Sequence, residues 1–206
     1  MRKIFIACAM LFVTLVAGTA MADSIAGRIG VTGRLGFLVP ADSDQVGLGV
    51  VVETDASLIG GGGFIYGINK NFAVELDITH SEFDGGRVRG PEGGDFSTTN
   101  ISLGAQYRFV DLPNKQLVLF VGSGLDILVN DFRFNSGERA NVDTVVGVHL
   151  VGGVDYFIMK QLALTGEIKG LIAADADVRD FMGNGKISNF DPSGVSVTAG
   201  VRYFFN

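Results

Sequence analysis

The feature that most constrains this chain is a two-residue period that returns along its length after residue 22. In each such segment apolar side chains fall on one face and small or polar ones on the other, the pattern a β-strand presents. The clearest instance covers residues 98–109, where Ile101, Leu103, Ala105, Tyr107 and Phe109 alternate with Asn100, Ser102, Gly104, Gln106 and Arg108. Residues 27–38 set Ile29, Val31, Leu35 and Phe37 against Arg28, Gly30, Thr32, Arg34 and Gly36. Segments 72–83, 144–158, 162–173 and 194–206 alternate in the same way. Two more are less regular. Segment 57–68 has four glycines in its middle, Gly60 to Gly63, and rests mainly on the tight turn after it. Segment 116–129 is apolar on both faces apart from Asp126 and the glycines at 122 and 124. Eight antiparallel strands are predicted.

Composition decides what the apolar faces meet. Hydrophobic residues make up 47% of the chain, yet after residue 22 no continuous apolar stretch reaches the about 18 residues of a spanning helix. Apolar content this high, dispersed by alternation, suits strands with one side toward lipid and the other toward an enclosed lumen. Glu75 and Asp77, on the polar face of 72–83, cannot point at lipid.

The first 22 residues read as a secretory signal peptide. Arg2 and Lys3 form a positive start, Ile4 to Ala17 is apolar, and Ala20-Met21-Ala22 gives a small-x-small cleavage pattern. The expected mature domain is 23–206. The chain's only cysteine, Cys8, lies inside the signal, so no disulfide framework is expected. Without Arg2 and Lys3 the 16 Lys and Arg fall to 14 against 22 Asp and Glu, a charge of −8 that argues against nucleic acid as a partner.

The connections alternate between long (39–56, 84–97, 130–143, 174–193) and short (67–71, 110–115, 159–161). Outer-membrane barrels have short periplasmic turns and long outside loops. The pattern therefore predicts an all-β, eight-stranded, up-and-down transmembrane barrel with both termini in the periplasm and four extracellular loops. A soluble β-sandwich has no reason to produce it.

The export signal, the eight amphipathic strands and the final Val201-Arg202-Tyr203-Phe204-Phe205 together resemble the small outer-membrane barrels of the OmpA, OmpX and OmpW type. The resemblance covers the whole mature chain and implies residence in the outer membrane of a Gram-negative bacterium, among lipid and lipopolysaccharide, as a monomer. It further implies that Tyr203 and Phe205 form the C-terminal signal read by the barrel-assembly machinery. Asn206 extends that signal by one residue.

Eight strands enclose an interior that side chains can fill. The facing assignments send Arg28, Arg34, Arg108, Lys169 and Arg202 inward with Glu75, Asp77, Asp126, Asp155 and Glu167, and place His149 among them. Such charges are expected to pair, because an isolated buried charge costs several kcal/mol. His80, Ser81 and Glu82 supply the residue types of the lipid A deacylases, small barrels that set His and Ser two apart on one strand face. Adjacent strand residues point to opposite faces, so the match is poor. The glycines at 60–63 and Gly183-Asn184-Gly185-Lys186 lack the context of a phosphate loop. Asp175, Asp177 and Asp180 lack the spacing of a calcium loop. No catalytic, cofactor or metal site is expected.

Three functions follow in order of preference. The first is a structural or surface-interaction barrel with a filled lumen, its specificity carried by loop residues such as Arg87, Arg89, Phe132, Arg133, Phe134, Arg139 and Phe181. The second is a narrow channel for small or hydrophobic solutes, with a pocket lined by residues such as Val118, Phe120, Leu128 and Val151. The third is a lipid-modifying enzyme.

Overall fold

The structure, a computed structural model, describes residues 24–40, 56–84, 94–134, 139–179 and 186–205. The signal segment, the glycine motif at 183–185 and loop residues Asp42, Asp44, Glu53, Asp55, Arg87, Arg89, Glu92, Glu138, Asp180 and Phe181 lie outside them. The described chain forms β1 (Ile29–Pro40), β2 (Ser57–Gly67), β3 (Phe72–Asp84), β4 (Gly94–Phe109), β5 (Leu117–Phe134), β6 (Arg139–Val142), β7 (Val145–Phe157), β8 (Leu162–Ala173), β9 (Ala176–Arg179), β10 (Lys186–Phe190) and β11 (Gly194–Phe204).

Eight of these close into an antiparallel barrel. Neighbours run β1, β2, β3, β4, β5, β7, β8, β11, and β11 returns to β1 through a ladder from Gly30↔Phe204 to Pro40↔Gly194. At one end the strands are joined by short turns. Asn69 Oδ1 accepts from the backbone N–H groups of Asn71 and Phe72 at 2.8 and 2.9 Å, and Asn114 Oδ1 accepts from Gln116 at 3.0 Å. Asn side chains commonly close turns this way. The strand ends that lead into the long connections lie at the opposite end.

Three of those connections hold more strand than the sequence indicates. β5 continues five residues past Val129 because β4 begins early enough to pair with it, from Thr98↔Asn130 up to Gly94↔Phe134. Beyond the barrel rim β5 takes β6 as its partner, and β9 and β10 extend that sheet outward.

The barrel is apolar outside and polar inside. Leu35, Leu103, Leu125, Val146, Leu150 and Ile172 point outward and exposed, while Thr32, Arg34, Glu75, Asp77, Ser102, Gln106 and Arg202 are buried. Only surroundings of lipid make that distribution stable. Exposed aromatics gather at the short-turn end, where Tyr107 meets Phe72 and Phe109 edge-on at 5.2 and 5.0 Å and Tyr203 meets Phe205 at 5.2 Å. Such a band suits the polar boundary of a membrane.

β5 faces inward with Val118, Phe120, Asp126, Leu128 and Asn130, and outward with Leu119, Val121, Leu125 and Ile127. Both faces are apolar because its inner face supplies plugs. Val118 joins Ile25, Ile65, Ala73, Phe157, Ala163 and Phe204 at the short-turn end, where the Phe157 and Phe204 rings stack at 5.8 Å. Leu128 packs with Val145 and Ala176 near the other end. Val118 and Leu128 thus belong to separate clusters and do not line one pocket.

The glycine run gives β2 a bare wall. A Cβ at Gly61 would lie 2.1 Å from the Ile78 carbonyl oxygen, and one at Gly63 would lie 2.3 Å from that of Leu76 and 2.6 Å from Asp77 Oδ1. Only glycine permits such close approach of neighbouring backbone.

Candidate functional site

Strand alternation brings charged side chains from seven barrel strands to the middle of the lumen. β2 is the exception, because its inner positions there are Gly61 and Gly63, and the Asp77 side chain of β3 lies against Gly63.

Six of these charges form one ladder of alternating sign. Arg34 donates through Nη1 to Glu167 at 2.6 Å and through Nη2 to Glu75 at 2.6 Å. Arg202 donates to the same Glu75 oxygen at 2.9 Å and to Asp155 Oδ2 at 2.9 Å. Arg108 closes the series on Asp155 at 2.6 Å. Gln106 ties the middle of this group to its Arg108 end, giving a hydrogen bond to Glu75 at 2.5 Å and accepting one from Arg108 at 3.0 Å. Beneath lies Phe120, whose ring centroid is 5.8 Å from Arg108 Cζ and 5.6 Å from Arg202 Cζ. Arginine suits this place because its planar fork serves two carboxylates at once and stacks on an aromatic face. Arg34, Glu75, Arg202, Asp155 and Arg108 each have at least two partners, the condition under which burial of charge is tolerated.

The remaining charges lie toward the long-loop end, where Asp126 is closely bonded and Lys169 and Asp77 are not. His149 Nδ1 contacts Asp126 Oδ2 at 2.6 Å, and Asn100 Nδ2 donates to Asp126 Oδ1 at 2.8 Å. Among the described residues Lys169 donates to Ser102 Oγ at 3.4 Å, with Asp77 Oδ2 4.0 Å away. Asp77 is 3% exposed, yet among the described residues neither of its oxygens accepts a hydrogen bond. Asn100 Oδ1 is likewise buried without a donor. A cavity of about 40 Å³ lies here, with a second of about 20 Å³ beside His149. Neither is wider than a few waters.

Arg28 departs from the inward assignment. β1 begins one residue later, so Arg28 sits half-buried at the short-turn rim. There it donates to the carbonyls of Lys160, Phe204 and Phe205 at 3.1 to 3.3 Å, and its guanidinium lies over the Phe204 ring. Tyr203 and Phe205, the expected assembly signal, face outward beside it. Sequence reasoning did not single out Ile25, Gln106 or Phe120 for these roles. Inward placement of Gln106 was readable, but its bridging position depends on partners from other strands.

At the outer rim His80 points outward and Ser81 inward, as strand alternation requires; Ser81 is 3% exposed. His80 Nδ1 instead contacts Thr99 Oγ1 at 3.0 Å, with Glu82 3.6 Å from Nε2. Among the described residues no group of three or more His, Cys, Asp or Glu is arranged to hold a metal ion.

Known proteins share this architecture. Residues 8–205 match the family described as the outer membrane protein beta-barrel domain. The outer membrane protein OprG of Pseudomonas aeruginosa superposes with a TM-score of 0.65 at 16% identity, over 88% of this chain and 97% of that one. AlkL, an outer membrane protein solved in lipid bilayers, gives 0.64 at 14% identity over 93% and 96%. Neisserial surface protein A gives 0.60 at 15% over 87% and 98%. No curated protein matches in sequence. Identities this low speak for the fold alone, whereas the family match spans nearly every residue. With the closed, inside-out barrel, it establishes that the chain belongs to the outer membrane β-barrel protein family of Gram-negative bacteria.

Proposed function

We propose that this protein is a closed-lumen outer-membrane barrel that acts as a structural and surface-interaction protein through its long connections. The observation that carries this reading is the ladder from Glu167 through Arg34, Glu75, Arg202 and Asp155 to Arg108, which crosses the lumen with bonds of 2.6 to 2.9 Å above an apolar plug. An ion moving through would have to break several charge-assisted bonds in a low-dielectric space. Proteoliposomes test the reading: they should swell in isotonic small sugars or amino acids no faster than protein-free vesicles. Faster swelling would refute it.

In this reading the chain is exported with cleavage after Ala22, so N-terminal sequencing of the mature protein should begin at Asp23. The barrel stands as a monomer with its short turns in the periplasm. Tyr203 and Phe205 serve its assembly, and Arg87, Arg89, Arg133 and Arg139 meet lipopolysaccharide phosphates. The barrel is non-catalytic in this reading, and Ser81, facing the lumen and away from His80, does not form the pair a lipid-modifying site would need. Deleting the gene should leave lipid A mass unchanged.

A narrow route for hydrophobic solutes has one observation in its favour. The cavity of about 40 Å³ and a wide outer groove lined by Leu125, Val148, Leu150, Ile172 and Val195 share Pro40, Leu171 and Gly194 as their common wall. Against it, the ladder there is unbroken, with Pro40 paired to Gly194 and Gly194 to Leu171. Uptake of a hydrophobic solute that depends on this protein would favour the route.

A further inference from the structure

We propose that residues 24–26 form a lid over the short-turn mouth of the lumen, hinged at Gly27, that opens without unfolding the barrel. The lid precedes the ladders, since β1 pairs with β2 from Ile29 onward and with β11 from Gly30 onward. Before them the chain doubles back through a turn in which the Arg28 N–H donates to the Ile25 carbonyl at 2.9 Å. Gly27 takes the third place of that turn at φ 72°, a left-handed conformation that side chains disfavour. A Cβ there would meet nothing, so conformation rather than crowding asks for glycine. Crowding governs the partner instead: a Cβ at Gly67 would lie 2.1 Å from the Ile25 carbonyl oxygen. Gly67 is the seat on which the lid rests.

One buried side chain anchors the lid. Ile25 is 2% exposed and belongs to the apolar cluster of Ile65, Phe157 and Phe204, whereas Ser24, Ala26 and Gly27 are exposed. β1 offers that cluster only Gly30, where a Cβ would lie 2.9 Å from both the Ile65 and the Phe204 side chains. Ile25 thus supplies the apolar side chain that β1 lacks. Opening breaks the bridge between Ala26 and Gly67, in which the Gly27 N–H donates to the Gly67 carbonyl at 2.7 Å, and the turn bond. The hinge stays in place. The Gly67 N–H donates to the Arg28 carbonyl at 3.0 Å, and the Arg28 guanidinium is fixed on the carbonyls of Lys160, Phe204 and Phe205. A short segment with a single buried anchor on a fixed hinge opens locally, well short of global unfolding. The consequence rests on the closed-lumen reading: the lumen has two seals in series, the charge ladder and the lidded plug. Loss of the ladder alone then leaves openings that the lid gates.

Thiol labelling tests the opening, since the chain's only cysteine, Cys8, lies upstream of the lid. In detergent micelles, with the fold verified by gel mobility before boiling, Ile25→Cys should react with a water-soluble maleimide about 10- to 1,000-fold more slowly than Ser24→Cys. Adding Gly27→Val, which strains the turn, should bring the two rates together. Equal rates in the two single variants mean that the lid is never seated, and labelling of Ile25→Cys only at the rate of global unfolding means that it never opens; either result overturns the proposal. Planar-bilayer recording tests the seal. Arg202→Met should open intermittently, Ile25→Ser should stay closed behind the intact ladder, and the double variant should open steadily. Openings of Arg202→Met that Ile25→Ser does not prolong overturn the lid as a seal and leave the closed-lumen reading standing. Steady wild-type openings sink that reading itself. The labelling result decides the matter if the double variant fails to fold.

Discussion

The two halves of the lumen are built from the same residue types and differ in how completely they are bonded. Toward the short turns, Arg202 makes bonds to Thr32, Glu75 and Asp155 above a plug of stacked aromatics. Toward the long loops, Lys169 makes one long bond, Asp77 and Asn100 have idle acceptors, and the apolar cluster consists of Leu128, Val145 and Ala176. The stability of the barrel's interior is therefore concentrated in one half. The other half is where small particles have room.

Substitutions at matched positions can break or sharpen that contrast. The largest effect is expected for Arg202→Met, which leaves Asp155 and Glu75 short of a partner and should cost about 3–5 kcal/mol in unfolding from detergent or vesicles. Phe157→Ala opens the plug beneath and should cost about 3 kcal/mol. Leu128→Ala, in the other half, should cost about 2 kcal/mol, because its cluster is smaller. Asp77→Asn should cost about 1 kcal/mol, since it loses only the ion pairs at 3.4 and 4.0 Å with Arg34 and Lys169 and no hydrogen bond. If Asp77→Asn proved as damaging as Arg202→Met, the contrast between the halves would be wrong.

Much of this was legible because a strand has a period of two. Wherever one face is polar, as in β3 or β4, the sequence states which side chains share the lumen. It falls silent where that contrast disappears. β5 carries valine, leucine and phenylalanine on both faces because one face meets lipid and the other fills plugs, and no single-strand pattern separates those fates. Arg28 continues the alternation of β1 by one residue but lies outside the strand, so its direction is set by the rim carbonyls. The short strands β6, β9 and β10 carry little alternation; they form because the sheet edge left by β5 above the rim offers them a partner.

Pairing was the least legible property of the site. Arg34 and Glu167 are 133 residues apart in sequence and Arg202 and Glu75 are 127 apart. Facing alone gives five carboxylates and their cations without saying who holds whom. The order of strands around the barrel supplies that information, and the glycines of β2 supply the room.

The central claim is that the lumen is sealed by the charge ladder, and single-channel recording of the purified protein in a planar bilayer tests it most directly. The account predicts no steady conductance from the wild type, and intermittent openings from Arg202→Met, where the ladder loses its middle rung. Steady openings of the wild type, unaltered in Arg202→Met, would contradict it.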